Sequence, residues 1–432
     1  MKSLFAPLAA ALALGGCTAY PYTPPALAPV TRPAPPVAVA DPVAAEAPVT
    51  ILISIDGFRP DYLDRGVTPH LSRLARDGVT ASMRPSFPSK TFPNHWTLVT
   101  GLVPDHHGIV ANNIDDPTAT HPSFTMATDD PWWWNAAEPI WVTAEKAGIR
   151  TATMFWPGST VAWGSVREEG GHHRVAGGTR PKDWQQFNQA VTGDQRVDAV
   201  IDWLRRPAAT RPRLVTLYFD TVDTAGHQDG PDSPGVTAAV ADVDRSIGRL
   251  ITGLAELGLR ANLVIVADHG MAATSSTRTV LLDRILAPGD ATIGETGPYA
   301  GIMPVPGHEA AVERALSARH PHMQCWRKDR IPARFRYGSN PRVPAWLCLA
   351  ETGWSILKTA PTEPFAGGNH GYDNQAPEMR ALFIAHGPAF AEGKRLPAFD
   401  NVDVAPLLRD LIGLPANPRL DGSDAPFRKV LR

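Results

Sequence analysis

Cysteine is scarce in this 432-residue chain, with only Cys17, Cys325 and Cys348 present. Three thiols against 14 histidines turn any metal chemistry away from thiolate clusters and toward imidazole and carboxylate ligands. An excess of positive charge is missing too: 41 Lys and Arg stand against 43 Asp and Glu, a formal charge of -2, which argues against a protein that coats nucleic acid. The apolar stretch Leu4 to Leu14 is too short to span a bilayer as a mature helix. The hydrophobic fraction of 43% is ordinary for a globular chain. The length exceeds a typical single core, so one large domain, or one and a half, is expected.

Residues 1–17 read as a signal peptide. Lys2 supplies a short positive region, the apolar stretch follows, and Leu14-Gly15-Gly16-Cys17 resembles a bacterial lipoprotein box. Cleavage before Cys17 would leave a lipidated N-terminal cysteine; the alternative is an ordinary secretory signal. Either way the chain is exported, and the lipoprotein reading places it in the periplasm, lipid-anchored to a bacterial membrane. Residues 18–48 are dominated by Pro and Ala and read as an extended tether. Cys325 and Cys348 remain for the folded part, as a disulfide or as two free buried thiols.

The folded body, 49–432, opens with Val49 to Ile55, a β-branched run of the kind buried on both faces inside a parallel sheet. It ends on Asp56-Gly57, so the carboxylate sits at the strand's C-terminal edge, where open α/β sheets place their ligands. Thr68-Pro69 looks like an N-cap with Pro at N1, and Gly78 closes a helix carrying Leu71 and Leu74. Leu214 to Phe219, Asn262 to Ala267 and Met379 to Ala385 read as further strands. Ala238 to Leu257 reads as an amphipathic helix. The fold class expected is α/β, a mostly parallel central sheet flanked by helices. The Pro-containing stretch 271–366 is expected to be an insertion or lid over the site.

Candidate metal ligands cluster where those elements end. Asp56, Asp268 and His269 follow strands, and Asp223 and His227, four apart across Gly226, can be presented by one helical turn. His370 lies far along the chain in GGNHGYDN. Asp268 and His269 are adjacent, so they serve one metal jointly only if the turn at Gly270 bends them. A single Asp or His is more often a cap or a hydrogen-bonding partner. Three Asp and three His together at loop ends make two three-ligand sets. Thr91, in KTFPNHW, offers a hydroxyl at the start of a helix-like run closed by Gly101. Threonine is a poor nucleophile until a zinc ion lowers its pKa, and a helix N-terminus favours a phosphate. Thr91 is equally readable as an N-cap.

Asp56, KTFPNHWTLVTG, GIVANN, MFWPGS, the Asp223-to-His227 segment, ADHGM and GNHGYDN, in this order over roughly 50–430, resemble the nucleotide pyrophosphatase/phosphodiesterase family of the alkaline phosphatase superfamily. The resemblance implies an alkaline-phosphatase-like core with two zinc ions. One would be held by Asp56, Asp268 and His269 with Thr91 bound to it, the other by Asp223, His227 and His370. Asn112 matches an asparagine that hydrogen-bonds a phosphoryl oxygen, though an Asn in an Asn-Asn pair is also a common turn residue. Phe92 matches an aromatic that stacks on the leaving group's base, with Tyr218 and Phe187 as further candidates for the pocket wall. For all three, core packing is an equal reading.

The implied chemistry is two in-line displacements through a phospho-threonine ester, with attacking and leaving oxygens on opposite sides of phosphorus. The segment after MFWPGS lacks a Lys-x-Arg pair that would serve a monoester's extra charge, which tilts the reading to phosphodiesters and phosphoanhydrides. Nucleotides come first as substrates. The alternatives are lipid head-group diesters, a phosphomonoesterase on the same fold, and a non-catalytic surface-binding lipoprotein. No nucleic-acid polymer is expected as a partner, and the membrane enters only through the anchor at Cys17. Trp132, Trp133 and Trp134 stand as core, lid or pocket.

Overall fold

A computed structural model describes residues 47–167 and 175–432. The signal peptide, Cys17 and all but the last two residues of the tether lie outside them. The central sheet contains β1 (Val49–Ile55), β2 (Val79–Arg84), β3 (Thr151–Met154), β4 (Asp183–Gln185), β5 (Leu214–Phe219), β6 (Ala261–Val266), β7 (Ala381–His386), β8 (Lys394–Arg395) and β9 (Phe399–Asp400). Their order is β8-β2-β7-β6-β1-β5-β3-β4, with β9 also paired to β2. β7 runs antiparallel to both its neighbours, and the remaining pairings are parallel.

Every residue of β1 is buried, Thr50 and Ser54 included, as suits a β-branched and apolar strand covered on both faces. It lies between β5 and β6, with Ile55 opposite Phe219 and Ser54 opposite Val266. Three parallel strands thus end at one edge of the sheet. The Asp56 amide extends the β1–β5 ladder by donating to the Phe219 carbonyl at 2.9 Å, so the backbone of Asp56 is fixed by the sheet itself.

Helices that bear on this sheet and its edge include α1 (Pro69–Asp77), α2 (Thr91–Thr100), α3 (Gly193–Leu204), α4 (Thr221–Asp229), α5 (Pro234–Glu256) and α6 (Val404–Ile412). α5 begins four residues before the expected start, because Ser233 caps it by accepting from the Val236 amide and Pro234 fills its first turn. At α1, Thr68 holds the N-cap position but its hydroxyl pairs with Ser72 at 2.9 Å instead of capping. The buried Asp244 carboxylate, reaching across from α5, takes the Leu71 and His70 amides at 2.7 and 3.2 Å. A long-range carboxylate has replaced the local hydroxyl as cap. α2 ends at Gly101, whose φ of 70° is the left-handed conformation that glycine adopts without strain.

The stretch 271–366 has its own structure: a four-stranded antiparallel sheet, the helix Glu309–Ser317, and a separate apolar cluster including Leu282, Ile302, Val312 and Leu316. Cys325 and Cys348 face each other on neighbouring strands of that sheet and are joined, with an S–S distance of 2.01 Å. The stretch is tied to the loop after α2. Asp105 accepts from the amides of Gly338, Ser339 and Asn340, and the Tyr337 hydroxyl donates to the Val110 carbonyl. Of the tryptophans, Trp133 and Trp134 are core, whereas Trp132 stacks on His121 at 4.0 Å with the Arg342 guanidinium 4.6 Å from its ring.

Because β1 carries the ladder that fixes Asp56, truncating Ile53 to alanine is expected to destabilise the protein by ~2–5 kcal/mol, the usual cost of an apolar cavity in a core. Denaturant unfolding measures this directly. A loss under about 1 kcal/mol would mean that the sheet centre repacks freely.

Candidate active site

The parallel strand ends deliver the acidic residues. Asp56 follows β1, Asp268 follows β6 by one residue, and α4 starts just after β5 with Asp223 in its first turn and His227 one turn later. The backbone after His269 turns sharply at Gly270, whose amide donates to the Met379 carbonyl at 3.1 Å. A β-carbon at Gly270 would lie 2.1 Å from the Glu378 carbonyl oxygen, so no other residue fits that turn. The bend puts Asp268 and His269 on the same site. His370 arrives from the short strand Ala366–Asn369, which pairs antiparallel with Ala272–Ser275 just beyond that turn.

Each imidazole is held by its rear nitrogen. Nδ1 of His269 faces the Gly270 carbonyl at 2.9 Å, Nδ1 of His227 the Gly368 carbonyl at 2.9 Å, and Nδ1 of His370 the Ser89 carbonyl at 2.8 Å. A carbonyl only accepts, so the three Nδ1 atoms carry hydrogen and it is Nε2 of each ring that faces the site. Two carboxylates are held likewise by one oxygen. Asp56 Oδ2 accepts from the Tyr218 hydroxyl at 2.7 Å, and Asp268 Oδ1 from the Gly57 amide at 3.3 Å.

The inward-facing atoms are short of donors. Asp56 Oδ1 and Asp223 Oδ1 are buried without a hydrogen-bond partner, and Asp268 Oδ2 meets only the ring nitrogens of His269 and His95, at 3.0 and 3.3 Å. Nε2 of His227 and Nε2 of His370 lie 3.1 Å apart. His269 Nε2 is 3.0 Å from Asp268 Oδ2, 3.4 Å from Asp56 Oδ1 and 3.3 Å from the Thr91 hydroxyl. Asp223 Oδ2 is 3.4 Å from His227 Nε2, and Asp223 Oδ1 is 3.7 Å from His370 Nε2. Ligands bound at 2.0–2.1 Å around a tetrahedral ion lie about 3.3 Å from one another, so this spacing and this N/O donor set suit divalent zinc-type ions. His269 stacks on His370 with ring centroids 3.5 Å apart, which also places its Nε2 within reach of Asp223.

The electrostatics agree. Burial raises Asp56 well above the usual carboxylate range, and the nearby charges of Asp268 and Asp223 raise it further. Burial likewise raises Asp223, against the pull of His227 and His269. For Asp268 burial is outweighed by the adjacent His269 and His95, which hold it well below the range. Burial, with His269 next, pushes His370 down and keeps its ring neutral. Carboxylates crowded in this way ionise together when a cation lies among them.

Thr91 is the first residue of α2, after Lys90 in an extended conformation, so it occupies the first turn and not the cap. The N-terminus of α2 is less open to an anion than its position suggests. The Phe92 amide donates to Asn112 Oδ1 at 3.0 Å and Pro93 has no N–H. That bond fixes the Asn112 carboxamide beside Thr91 and leaves its NH₂ end as the donor.

Phe92 is half-buried, with ring edges against Phe124 and Trp134 at 5.9 and 6.1 Å. Phe187 is 46% exposed, 5.8 Å from the Tyr218 ring. Tyr218 is buried, and its hydroxyl is committed to Asp56.

Some residues of this region carried no assignable signal in the sequence. Asn94 is wholly buried, takes the Ser86 amide, and donates to the Pro88 and Lys90 carbonyls, which locks the approach to Thr91. His95 lies against Asp268 and the Thr91 carbonyl. Lys90 is buried near Asn369 and its pKa is lowered by that burial. All three belong to the motif around Thr91, and only their long-range partners reveal their work.

Residues 50–373 match the family described as type I phosphodiesterase / nucleotide pyrophosphatase. An uncharacterized pyrophosphatase/phosphodiesterase of Schizosaccharomyces pombe is 38% identical over 390 residues, covering 85% of this chain and 77% of that protein. A bis(5'-adenosyl)-triphosphatase of Xenopus laevis is 36% identical over 382 residues, covering 88% and 80%. Among solved structures, an inactive threonine-to-alanine variant of murine ectonucleotide pyrophosphatase/phosphodiesterase 5 in complex with AMP superimposes with a TM-score of 0.82, at 35% identity, over 89% of this chain and 100% of that one. The chain therefore belongs to the metal-dependent type I phosphodiesterase/nucleotide pyrophosphatase family of hydrolases.

Proposed function

We propose that this protein is a two-zinc nucleotide phosphodiesterase and pyrophosphatase that works through a covalent phospho-threonine at Thr91. The observation that carries the reading is the Thr91 hydroxyl, 3.3 Å from His269 Nε2, at the rim of a pocket of buried carboxylate oxygens, two of them with no donor. Asp56, Asp268, His269 and Thr91 would hold one ion, and Asp223, His227 and His370 the other. Bound there, zinc would supply Lewis acidity, lower the pKa of the threonine hydroxyl, and offset charge on the leaving oxygen.

The protein's own residues then have definite tasks. Thr91 Oγ1 attacks phosphorus, a P–O bond forms, and the bond to the leaving oxygen breaks on the opposite face. The NH₂ of Asn112 donates to a nonbridging oxygen, where negative charge accumulates. Water entering from the side the leaving group vacated attacks the threonine ester and restores the hydroxyl. Tyr218 holds Asp56 by one oxygen throughout, so the other keeps its direction.

Nucleotides fit the surroundings of Thr91. Phe92 adjoins it, and Phe187 is an exposed aromatic against Tyr218, surfaces on which a base can stack. The AMP-bound neighbour and the diadenosine-triphosphate-cleaving relative support the same substrate class. The inactivation of that neighbour by one threonine replacement supports the nucleophile. Export and a lipid anchor at Cys17 complete the proposal. Among the described residues no helix is long and apolar enough to cross a membrane.

Hydrolysis of a nitrophenyl diester of thymidine monophosphate should exceed that of nitrophenyl phosphate, and chelation should abolish it until zinc is restored. A preference for the monoester, or activity indifferent to chelator, would overturn the reading. Thr91→Ala should reduce turnover to background while both zinc equivalents stay bound; steady-state turnover in that variant would rule out the covalent route. Tyr218→Phe should weaken zinc binding ~10–100-fold, read by chelator competition, because Asp56 loses the donor that orients it. Unchanged affinity would make the tyrosine a packing residue only.

A further inference from the structure

Behind the inward-facing carboxylates lies a buried relay that the reaction does not use directly. Ser54, on β1 two residues before Asp56, has its hydroxyl 2.8 Å from His95 Nε2. His95 Nδ1 lies 2.9 Å from the Thr91 carbonyl oxygen and 3.3 Å from Asp268 Oδ2. The ring is wedged edge-on between Trp156 and Tyr218 at 5.1 and 5.2 Å, and the Trp156 indole N–H donates to the His95 carbonyl. Serine, histidine and aspartate in line look like a hydrolytic triad. However, Ser54 and His95 are both 0% exposed, so no substrate reaches that hydroxyl.

The proton on His95 is placed by its neighbours. Nδ1 faces a carbonyl and a carboxylate, which accept and do not donate, so Nδ1 carries a hydrogen. In the neutral ring Nε2 is then the acceptor, and the Ser54 hydroxyl donates to it. One imidazole therefore touches the backbone of the nucleophile and the side chain of a metal-facing carboxylate, and is oriented from β1, the strand that carries Asp56.

Building on the zinc and threonine assignment above, we propose that His95 is a positioning residue that sets the nucleophile and one metal site together. Its Nδ1–H holds the Thr91 carbonyl, and hence the first turn of α2, at a fixed distance from Asp268, with Ser54 fixing the tautomer. Thr91 Oγ1 and Asp268 Oδ2 then approach the same ion in register. Without His95 the two move independently, because Thr91 belongs to α2 and Asp268 to the turn after β6.

The test compares His95→Leu, His95→Asn and His95→Gln with Ser54→Ala in the full chain, supplied with zinc. The Asn amide mimics Nδ1–H, whereas the Gln amide reaches the Nε2 position. In His95→Leu one of the two zinc sites should weaken ~10–100-fold, and kcat for the nitrophenyl thymidine diester should fall by a comparable factor while KM stays within about twofold. Asn should recover most of that loss and Gln little of it. Equal behaviour of the three variants, or a loss confined to KM, would overturn the proposal. If the His95 variants fail to fold, Ser54→Ala decides, since it removes a single oxygen. A several-fold drop in kcat at unchanged melting temperature supports the relay, and a wild-type kcat overturns it. A wild-type protein lacking two zinc equivalents or diesterase activity would instead sink the reading of the site as a whole.

Discussion

Three carboxylates forced together away from water, two of them with a buried oxygen that meets no donor and the third facing only imidazoles, are the constraint on which the rest of this structure depends. Buried anions repel one another and lack hydration, so such a cluster persists only around positive charge. The architecture concentrates that tension in one place. β5, β1 and β6 run parallel and end at the same edge, so residues distant in sequence meet there as a consequence of strand direction. The groups are also aimed: every imidazole is tied by Nδ1 to a carbonyl, and Asp56 and Asp268 are each anchored by one oxygen. Anchored this way, the ligands lose little freedom when an ion binds.

The same logic explains why so much polar chemistry lies buried around Thr91. Asn94 ties the loop at Ser86, Pro88 and Lys90 to α2 and itself accepts from Asn401, next to the start of α6. Ser89, inside that loop, offers its carbonyl to His370. A shift of the loop would therefore move Thr91 and His370 together. The stretch 271–366 adds a further brace through Asp105, Tyr337 and Arg342, whose guanidinium donates to the carbonyls of Gly108 and Trp133. These bonds join the segment bearing Asn112 to the part of 271–366 whose Phe335, Tyr337 and Val343 pack in the main core.

The central strands, and the fact that acidic and imidazole side chains stand at their ends, were legible in the sequence for a local reason. β1 and β5 are dominated by apolar and β-branched residues, and Asp56, Asp268 and His269 follow within a few residues of strand ends. The features that were not legible depend on contacts across the chain. Asp244 caps α1 from α5, 173 residues from the Leu71 amide it accepts. Tyr218 reads as an aromatic on a strand, and only the fold gives its hydroxyl to Asp56. The four-stranded sheet within 271–366 is built of short strands separated by Pro and Gly, too brief for periodicity to declare them. His95 carries no local mark of that role, because the side chains it meets, Ser54 and Asp268, lie 41 and 173 residues away.

The nucleophile's helix shows how little of the anion binding is left to the backbone. With the Phe92 amide given to Asn112 and no amide at Pro93, α2 offers a phosphate less than an ordinary helix N-terminus does. In the proposed reaction, stabilisation of the nonbridging oxygens would then rest on the Asn112 NH₂ and on the cations that the carboxylates would hold. The lysine beside the nucleophile adds less than its charge suggests, because Lys90 faces both Glu295 and Asp223 and its burial favours the neutral amine. A phosphoryl group with one negative charge is matched by such surroundings, whereas a monoester dianion brings a second charge that these side chains do not balance. The charge count at Thr91, and not the shape of the cleft alone, thus favours diesters and anhydrides over monoesters.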